Sequence, residues 1–266
     1  MVAAVMARPR FLSLLSNHFK ESAYYRYYHT RHQAWLQLFK KAPLALCPSI
    51  AMYDLIAGDV ISGCIAFNGF YEWSLTKRIA QHAAKGGLLV DVGANMGYFS
   101  LLWVGLNQSG KAIAVEAAPR NIALFQNNVQ RNQLENRIAL IPKAAGDRAG
   151  TVGFDVGPSD QTGWGGVSID SPNAISVPAV RLDEELSDEK IDVLKIDTEG
   201  ADTLVLHGCE GLLANRRIKI IYFEQNEQRM KPLGIAPGAA QKFLQSQGYN
   251  CRRLGTGEEE WQAYPE

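Results

Sequence analysis

Acidic residues stand at the ends of several apolar segments of this sequence, where the strands of a sheet would end. Asp91 closes "LLVD" and is followed by two glycines, Gly93 and Gly97, in the run D-V-G-A-N-M-G. Glu116 closes the next apolar segment, and Asp197 closes "IDVLKID". Because the carboxyl ends of parallel strands meet at one edge of a sheet, these acids are expected to share one site.

The spacing of apolar residues predicts alternating strands and helices from Trp73 onward. The predicted strands are "GLLVDV", "KAIAVEA", "RIALIPKA", "IDVLKID" and "IKIIYFE". The predicted helices are "SLTKRIAQHAAK", "GYFSLLWVGLN", "PRNIALFQNNVQRNQL", "GADTLVLHGCEGLL" and "PGAAQKFLQSQGY". This alternation predicts an α/β fold whose parallel sheet is covered by helices on both faces. Gly-rich, alternating segments predict a β-hairpin insertion at about residues 150–180, and a polar tail is expected after the last helix.

The first part of the chain is expected to form an extension of this α/β domain. The first ~40 residues are aromatic and basic with a helical pattern, and the segment from there to Trp73 predicts short strands or loops. We therefore divide the chain into an N-terminal extension, residues 1–64, and a main domain, residues 65–266. The extension is expected to pack on the core and to border the site.

The composition is that of an ordinary soluble globular protein, with 47% hydrophobic and 20% charged residues and a net charge of zero. Neither nucleic acid binding nor disorder is indicated by such a balance. Four widely spaced cysteines predict reduced thiols in a cytoplasmic protein and no zinc site: Cys47, Cys64, Cys209 and Cys251. Arg8 and Arg10 interrupt the apolar start of the chain, so neither a membrane span nor a secretion signal is expected there.

The turn after Asp91 indicates a positively charged ligand. A dinucleotide fingerprint, G-x-G-x-x-G, is excluded because starting it at Gly93 places Asn95 and Tyr98 where glycines are required. An acid beside the turn would repel a pyrophosphate, whereas S-adenosylmethionine carries an ammonium and a sulfonium and no phosphate. The glycines would let the backbone approach that ligand closely. The alternative is a tight strand-to-helix turn with no ligand.

The ends of the second and third strands favour a nucleoside. Glu116 lies nineteen residues after Gly97, and an acid at this place can accept hydrogen bonds from ribose hydroxyls. Ala144 and Ala145 would leave room for a flat adenine, whose edge Lys143 or Asp147 could reach. The small residues also suit a plain turn, so their signal is weaker than that of Glu116.

The ends of the fourth and fifth strands carry candidates for proton transfer. Asp197 and Glu199 are the preferred proton acceptors, and His207 on the next helix is a weaker one. Helix capping would explain one of the two acids without a catalytic role. A magnesium site built from Asp197, Glu224 and Asn226 is an alternative that the sequence does not favour.

Four segments together resemble the FkbM family of S-adenosylmethionine-dependent methyltransferases: "VDVGANMGYFS", "VEAAPRNIALFQNNVQRN", "VRLDEEL" and "IDVLKIDTEGADTLVLHG". The resemblance covers roughly residues 65–225, and the last segment is its most distinctive part. An upstream "GFYEW" also matches and adds Glu72 as a candidate contact. The chain departs from the family at Ala117, where proline is usual, and at Asp202, where "GAD" replaces "GAE". Neither departure is expected to affect the chemistry.

The resemblance implies a Rossmann-like class I methyltransferase fold with a mostly parallel, seven-stranded sheet. It implies O-methylation of a hydroxyl on a small molecule or glycan, such as a sugar, a polyketide or another secondary metabolite. The cofactor contacts that follow from the motifs and the resemblance are Glu72, Asp91, Gly93, Ala94, Asn95, Gly97, Tyr98, Phe99, Glu116, Ala117, Asn121, Lys143, Ala144, Ala145 and Asp197.

Two other functions remain open at this point. A catalytically silent module could bind the cofactor on the same fold, and a nicotinamide-dependent oxidoreductase is disfavoured by the glycine spacing. Partners are expected to be small molecules or glycans, with no nucleic acid and no stable membrane insertion. Trp164 lies between glycines in the insertion and either stacks on the acceptor or packs on the hairpin.

Overall fold

The computed structural model describes residue 8 and residues 15–28, 36–254 and 260–266. Their strands are β1 (Lys41–Pro43), β2 (Ala51–Tyr53), β3 (Leu88–Val92), β4 (Lys111–Val115), β5 (Ile138–Ile141), β6 (Ala144–Ala145), β7 (Gly150–Asp155), β8 (Gly166–Val167), β9 (Ile175–Val180), β10 (Val193–Ile196), β11 (Ile221–Glu224), β12 (Tyr249–Arg253) and β13 (Glu260–Pro265). Their α-helices are α1 (Asn17–Ala23), α2 (Leu36–Lys40), α3 (Val60–Asn68), α4 (Trp73–Ala83), α5 (Tyr98–Leu106), α6 (Pro119–Arg131), α7 (Leu182–Glu185), α8 (Asp202–His207), α9 (Glu210–Ala214), α10 (Glu227–Met230) and α11 (Ala239–Ser246).

The main sheet has seven strands in the order β12-β13-β11-β10-β3-β4-β5. The five strands from β11 to β5 are parallel, and β13 and β12 are antiparallel to their neighbours. One face of the sheet packs against α4, α5 and α6, and the other packs against α8, α9 and α11. Burial on both faces explains why the parallel strands read as unbroken apolar runs.

The strand order reverses between β3 and β10, which is where doubly wound sheets bind their ligands. The connection that leaves β3 runs toward β4 on one side, while β10 continues to β11 on the other. The loops after these two strands therefore diverge and leave a crevice at the carboxyl edge of the sheet.

A second sheet of four short strands, in the order β6-β9-β7-β8, stands at the same edge. Its β7 and β9 pair antiparallel, with Gly150 opposite Ala179 and Phe154 opposite Ile175, and β8, which lies between them in the chain, pairs with β7. This sheet occupies the part of the chain where the sequence predicts an insertion. Most of its buried residues, Ala144, Phe154, Val177 and Ala179, form a small apolar cluster with Ala117 and Ala118, which follow β4.

Residues 36–70 share one apolar core with the main sheet, since buried side chains of α2, β2 and α3 belong to the same cluster as those of α5. The side chains of Asn128 on α6 and of Asn132, just beyond its end, bond the backbone of β2. Arg8 donates to the carbonyl oxygens of Pro43 and Ile65. The boundary predicted after residue 64 lies inside α3.

The sequence prediction missed α3, which it assigned to short strands or loops. Asp59 caps this helix by accepting the N–H of Ser62, and Gly69 ends it in the left-handed conformation. The segment "VISGCIAFN" has no polar stripe, because seven of its nine residues are buried. The sequence therefore shows no helical periodicity here, and tertiary packing rather than intrinsic helix propensity stabilises α3.

Three further predictions of secondary structure were wrong in detail. The third strand ends at Ile141, and Ala144–Ala145 pair with β9 in the second sheet. One predicted helix is two helices, α8 and α9, separated at Gly208 and Cys209. The segment predicted as a polar tail contains β12 and β13, which pair with each other as an antiparallel hairpin. This hairpin forms one edge of the main sheet, where polar side chains are common.

Within the described ranges no helix is both long enough and apolar enough to cross a membrane. All four cysteines are free thiols, and Cys47, Cys64 and Cys209 are buried.

Candidate active site

The main cleft lies at the switch point between β3 and β10. It is lined by these residues of the set predicted from the sequence: Glu72, Gly93, Ala94, Asn95, Tyr98, Phe99, Glu116, Ala117, Asn121, Lys143, Ala144, Ala145, Asp197, Glu199, Glu224 and Asn226. Of the predicted residues, Asp91, Gly97 and His207 do not line it. The sequence prediction did not include these lining residues: Ile61, Tyr71, Phe154, Thr162, Gly163, Gly165, Val167 and Thr198.

The glycines after β3 are required by packing within the protein. Gly93 has a φ of +70°, and a Cβ there would overlap the carbonyl oxygen of Asp197. Gly97 has a φ of +91°, and a Cβ there would meet the ring of Phe125. These glycines let the β3 turn pack against the β10 turn and against α6, and Gly93 also lines the cleft.

Asp91 is fully buried and forms an ion pair with Lys195. The hydroxyl of Ser100 donates to Asp91 Oδ2 at 2.8 Å, and Lys195 Nζ lies 3.5 Å from Asp91 Oδ1. Lys195 Nζ also lies 3.3 Å from Asp197 Oδ2 and donates to the carbonyl oxygen of Gly93 at 3.2 Å. Asp91 thus acts on the cleft through Lys195 and not by direct contact.

The charge of Lys195 is sustained by its neighbours. Burial alone would lower the pKa of this ammonium, but the carboxylates of Asp197, Asp91 and Glu72 outweigh burial and hold the pKa well above its ordinary value. Lys195 therefore stays protonated and fixes the carboxylate of Asp197 at the floor of the cleft.

Glu116 lies at the other end of the cleft and is 6% exposed. Its Oε2 accepts the N–H of Asn95 at 2.7 Å, and its Oε1 accepts the N–H groups of Ala117 and Ala118 at 3.0 and 2.8 Å. Burial raises the pKa of Glu116, and the three N–H groups oppose that rise. Since each carboxylate oxygen offers about two acceptor positions, Oε2 keeps one for a hydroxyl of a ligand.

The loop after β10 carries backbone strain. Glu199 has a φ of +54°, and the next residue, Gly200, has a φ of +96°. Glu72 and Asn95, which also line the cleft, have φ values of +43° and +51°. Non-glycine residues with positive φ are uncommon and collect at functional sites, so three of them around one cleft mark it as a site.

Asp202, which the sequence prediction set aside as a harmless departure from the family, is a central connector. It is fully buried, and its Oδ1 accepts the N–H and the hydroxyl of Thr198 at 2.9 and 2.6 Å. Its Oδ2 accepts the N–H of Glu224 at 2.7 Å. Burial raises the pKa of Asp202 to about 6. This carboxyl ties the loop after β10 to the end of β11, a structural role that the sequence prediction did not assign to it.

Three carboxyl groups of the cleft resist ionisation. Burial, reinforced by the charge of Asp197, raises the pKa of Glu72 to about 8, that of Glu199 to about 7 and that of Glu224 to about 9. Arg229 Nε lies 3.4 Å from Glu199 Oε2 and opposes the rise there. At neutral pH Glu72 and Glu224 are therefore mostly protonated, and Glu199 is about half ionised.

The insertion forms one wall of the cleft. We call residues 158–165 the insertion loop. Asp59 Oδ1 accepts the N–H of Thr162 at 2.8 Å, and Asp59 Oδ2 accepts its hydroxyl at 3.1 Å. Asn121 Nδ2 donates to the carbonyl oxygen of Thr162, and Arg120 donates to three further carbonyl oxygens of the loop. The N-terminal part and α6 thus hold the insertion loop over the cleft.

Small and apolar residues line the cleft beyond Glu116. Ala117, Ala144 and Ala145 lie there with Phe154. Val167 of β8 is also part of this wall. A flat apolar group fits such surroundings.

Other candidate residues have different surroundings. Lys143 Nζ pairs with Glu185 at 2.8 Å at the surface. Trp164 is 54% exposed on the insertion loop. His207 packs against the ring of Phe243 at a centroid distance of 4.1 Å. Asn226 Oδ1 caps α10 by accepting the N–H of Arg229.

The candidate magnesium ligands, Asp197, Glu224 and Asn226, all line the cleft. Among the residues that the structure describes, no group of three or more His, Cys, Asp or Glu side chains is placed to hold a metal ion.

A parallel sheet with a reversed hairpin at one edge and a carboxylate-rich cleft at the switch point define the Rossmann-like class I methyltransferase fold. The sequence pattern of the FkbM methyltransferase domain matches residues 91–251. The chain belongs to the FkbM methyltransferase family.

Solved structures show more distant likeness. The methyltransferase PaMTH1 from Podospora anserina, bound to SAH, is 13% identical with a TM-score of 0.46, over 72% of this chain and 78% of that chain. The precorrin-6y C5,15-methyltransferase from Geobacter metallireducens is 12% identical with a TM-score of 0.45, over 74% and 90%. No curated protein matches this chain.

Proposed function

We propose that this protein transfers a methyl group from S-adenosylmethionine to a hydroxyl oxygen of a small molecule or glycan. The observation that carries the proposal is that the two ends of the main cleft are lined by residues of different chemistry. One end has the nucleoside chemistry of Glu116 and the small residues Ala117, Ala144 and Ala145. The other end holds the carboxyl groups of Glu72, Asp197, Glu199 and Glu224. Family membership supports methyl transfer, and the choice of a hydroxyl acceptor rests on the proton acceptors in the cleft.

The residues present fit S-adenosylmethionine. Glu116 keeps one acceptor position for a ribose hydroxyl. Burial, and after it the charge of Asp197, raises the pKa values of Glu72, Glu199 and Glu224, and a cationic ligand beside them would favour their ionised forms. When bound, this cofactor supplies a methyl group already activated by the positive charge on sulfur.

The chain's own residues have the tasks of alignment and proton removal. Lys195 holds the Asp197 carboxylate in place by an ion pair, so Asp197 serves best to orient groups in the cleft. Burial, reinforced by Asp197, raises the pKa of Glu199 to about 7, and its side chain lines the cleft. We infer that Glu199 accepts the hydroxyl proton and that Asp202 holds the loop that presents it.

The test begins with binding. Purified protein is titrated with S-adenosylhomocysteine, and the main-cleft variant Glu116→Gln is the matched partner. We expect binding by the wild type and at least tenfold weaker binding by the variant, because the amide replaces an acceptor with a donor. No binding by the wild type at high micromolar ligand would refute the cofactor assignment.

Turnover is then measured with labelled S-adenosylmethionine and a panel of sugars, polyketides and other hydroxylated metabolites. Label transferred to oxygen, and lost in Glu199→Gln with S-adenosylhomocysteine binding retained, would support the proposal. Binding without turnover on any acceptor would favour the silent module. The same assay in excess chelator tests magnesium: we expect full activity, and loss that magnesium restores would assign the metal to Asp197, Glu224 and Asn226.

A further inference from the structure

A second cavity of about 160 Å³ opens beside the main cleft and continues past the end of β11 toward α4 and β13. The two spaces share four lining residues, which we call the shared edge: Glu72, Lys195, Asp197 and Glu224. The order of the strands places Glu116 on one side of Asp197 and the second cavity on the other.

This position suits the methyl acceptor, so the inference rests on the proposed function and concerns the class of acceptor. The nucleoside end of the cofactor belongs at Glu116, and its reacting end then belongs near Asp197. A molecule in the second cavity would meet that end at the shared edge, inside the cleft that Glu199 also lines.

Beyond the shared edge the walls are mainly apolar. Four of the side chains that form them are buried: Leu75, Ile196, Phe223 and Leu254. Tyr222 also lines the cavity, but its hydroxyl lies 3.1 Å from Nε2 of His82, which is outside the described lining. Within that lining Glu260 contributes the one carboxyl group beyond the shared edge.

The size and the walls favour a flat apolar ring. An apolar cavity of about 150 Å³ is large enough to hold benzene. A sugar ring of the same size carries several hydroxyls, and one carboxyl group cannot bond them all. Hydroxyls that lose their water without gaining a partner reduce affinity, so the second cavity discriminates against a sugar.

The chemistry of proton removal favours an aromatic hydroxyl over an aliphatic one. Burial, reinforced by the charge of Asp197, raises the pKa of Glu199 to about 7. A phenol has a pKa of about 10, whereas an aliphatic hydroxyl is about as weak an acid as water, whose pKa is about 16. Proton transfer to Glu199 is therefore unfavourable by a factor of roughly a thousand for a phenol and roughly a billion for an alcohol.

We propose that the second cavity binds the aromatic ring of a phenolic acceptor and directs its hydroxyl toward Asp197 at the shared edge. In the transfer the phenol oxygen bonds to the methyl carbon, and the phenol proton passes to the Glu199 carboxylate. The electron pair of the broken carbon–sulfur bond stays on sulfur, which leaves the thioether S-adenosylhomocysteine.

The test compares three small ring compounds: phenol, benzyl alcohol and inositol. Binding of each to the full-length protein is measured by ligand-detected NMR, with and without saturating S-adenosylhomocysteine, and each is then offered as acceptor with labelled S-adenosylmethionine. We expect phenol and benzyl alcohol to bind at least tenfold more tightly than inositol. Label should pass to phenol at least a hundredfold faster than to benzyl alcohol, because the two rings fit alike and only the acidity of the hydroxyl differs.

Two variants that fill the second cavity test its location. Leu254→Trp should weaken phenol binding at least tenfold and leave S-adenosylhomocysteine binding unchanged, and Leu75→Phe should act in the same direction if the first variant does not fold. Leu124→Trp is the matched control, because Leu124 is a partly buried leucine of α6 that lines neither space. It should change neither affinity.

Inositol binding as tight as that of phenol, or an equal effect of Leu254→Trp and Leu124→Trp, would overturn the proposal. Phenol that binds beside the cofactor and receives no label would overturn its assignment as acceptor. Failure of the proposed function has a different signature: S-adenosylhomocysteine does not bind, while the preference for phenol over inositol is still measured without it.

Discussion

Replacing Asp202 by asparagine should leave the protein at least as stable as the wild type at pH 8, although three hydrogen bonds end on this side chain. The amide oxygen can still accept both donors of Thr198. The amide nitrogen then faces the N–H of Glu224, so two donors meet where the wild type has a donor and an acceptor. An unsatisfied buried donor of this kind costs about 1–3 kcal/mol.

The wild-type carboxylate has a cost of its own. Asp202 is fully buried, and a carboxyl group that titrates near pH 6 instead of 3.8 destabilises the folded protein by about 3 kcal/mol at pH 8. The sign follows from the raised pKa: the cost is complete above pH 6 and disappears as the pH falls toward 3.8. At pH 5 it is about 1.5 kcal/mol. Asparagine has no such dependence.

The variant should therefore be equal to the wild type or more stable by up to about 2 kcal/mol at pH 8, and should lose about 1.5 kcal/mol relative to it by pH 5. Urea unfolding at both pH values measures this, with Asp188→Asn, an exposed acid, as the control that should show no change. A loss above about 3 kcal/mol at pH 8, or a difference independent of pH, would refute the reasoning. Confirmation would mean that Asp202 is kept for the placement of Thr198 and Glu224, at a cost in stability.

Three other outcomes are expected. Burial, and then nearby carboxylates, raise the pKa values of Glu72, Glu199 and Glu224 to about 8, 7 and 9, so a ligand that favours their ionised forms should bind more tightly as the pH rises. The affinity for S-adenosylhomocysteine should therefore rise from pH 6 to 8.5, and calorimetry in two buffers should show that binding releases protons. A flat or falling affinity would contradict this. Gly93→Ala should cost about 3 kcal/mol or more, because its Cβ meets the Asp197 carbonyl, whereas Gly146→Ala, with open space, should be nearly neutral; equal melting temperatures would count against the packing argument. Trp164→Ala should change stability by less than about 0.5 kcal/mol and weaken acceptor use more than cofactor binding, with Ile169→Ala as the exposed control; equal loss of both activities would exclude a role in acceptor binding.

The parallel strands and the acids at their ends were predictable because buried strands read as short apolar runs that stop at a turn. Glu116 and Asp197 follow such runs, and both line the main cleft. Asp91 belongs to the same pattern but lies inside the protein, since its partner Lys195 approaches from the neighbouring strand. The pairing that places Lys195 opposite Asp91 joins two distant segments, so neither segment alone predicts it.

The parts that could not be predicted depend on contacts between distant segments. Helix α3 is buried on nearly all sides, so no periodic pattern marks it. Asp59 caps this helix and also holds Thr162, more than a hundred residues away. Asp202 looked like a conservative change because its three donors come from the loop after β10 and from the end of β11. Such residues become visible only when the fold brings their partners together.

The position of β13 has a consequence for how the protein is made. This strand follows β12 in the chain but lies between β12 and β11 in the sheet. On the ribosome, β12 is synthesised first and has no partner until the chain returns as β13. The second cavity, which takes Glu260 and Trp261 from β13, is therefore completed only after the parallel strands have been synthesised. The lining residues of the main cleft all precede β13, so the main cleft can fold earlier in synthesis than this cavity.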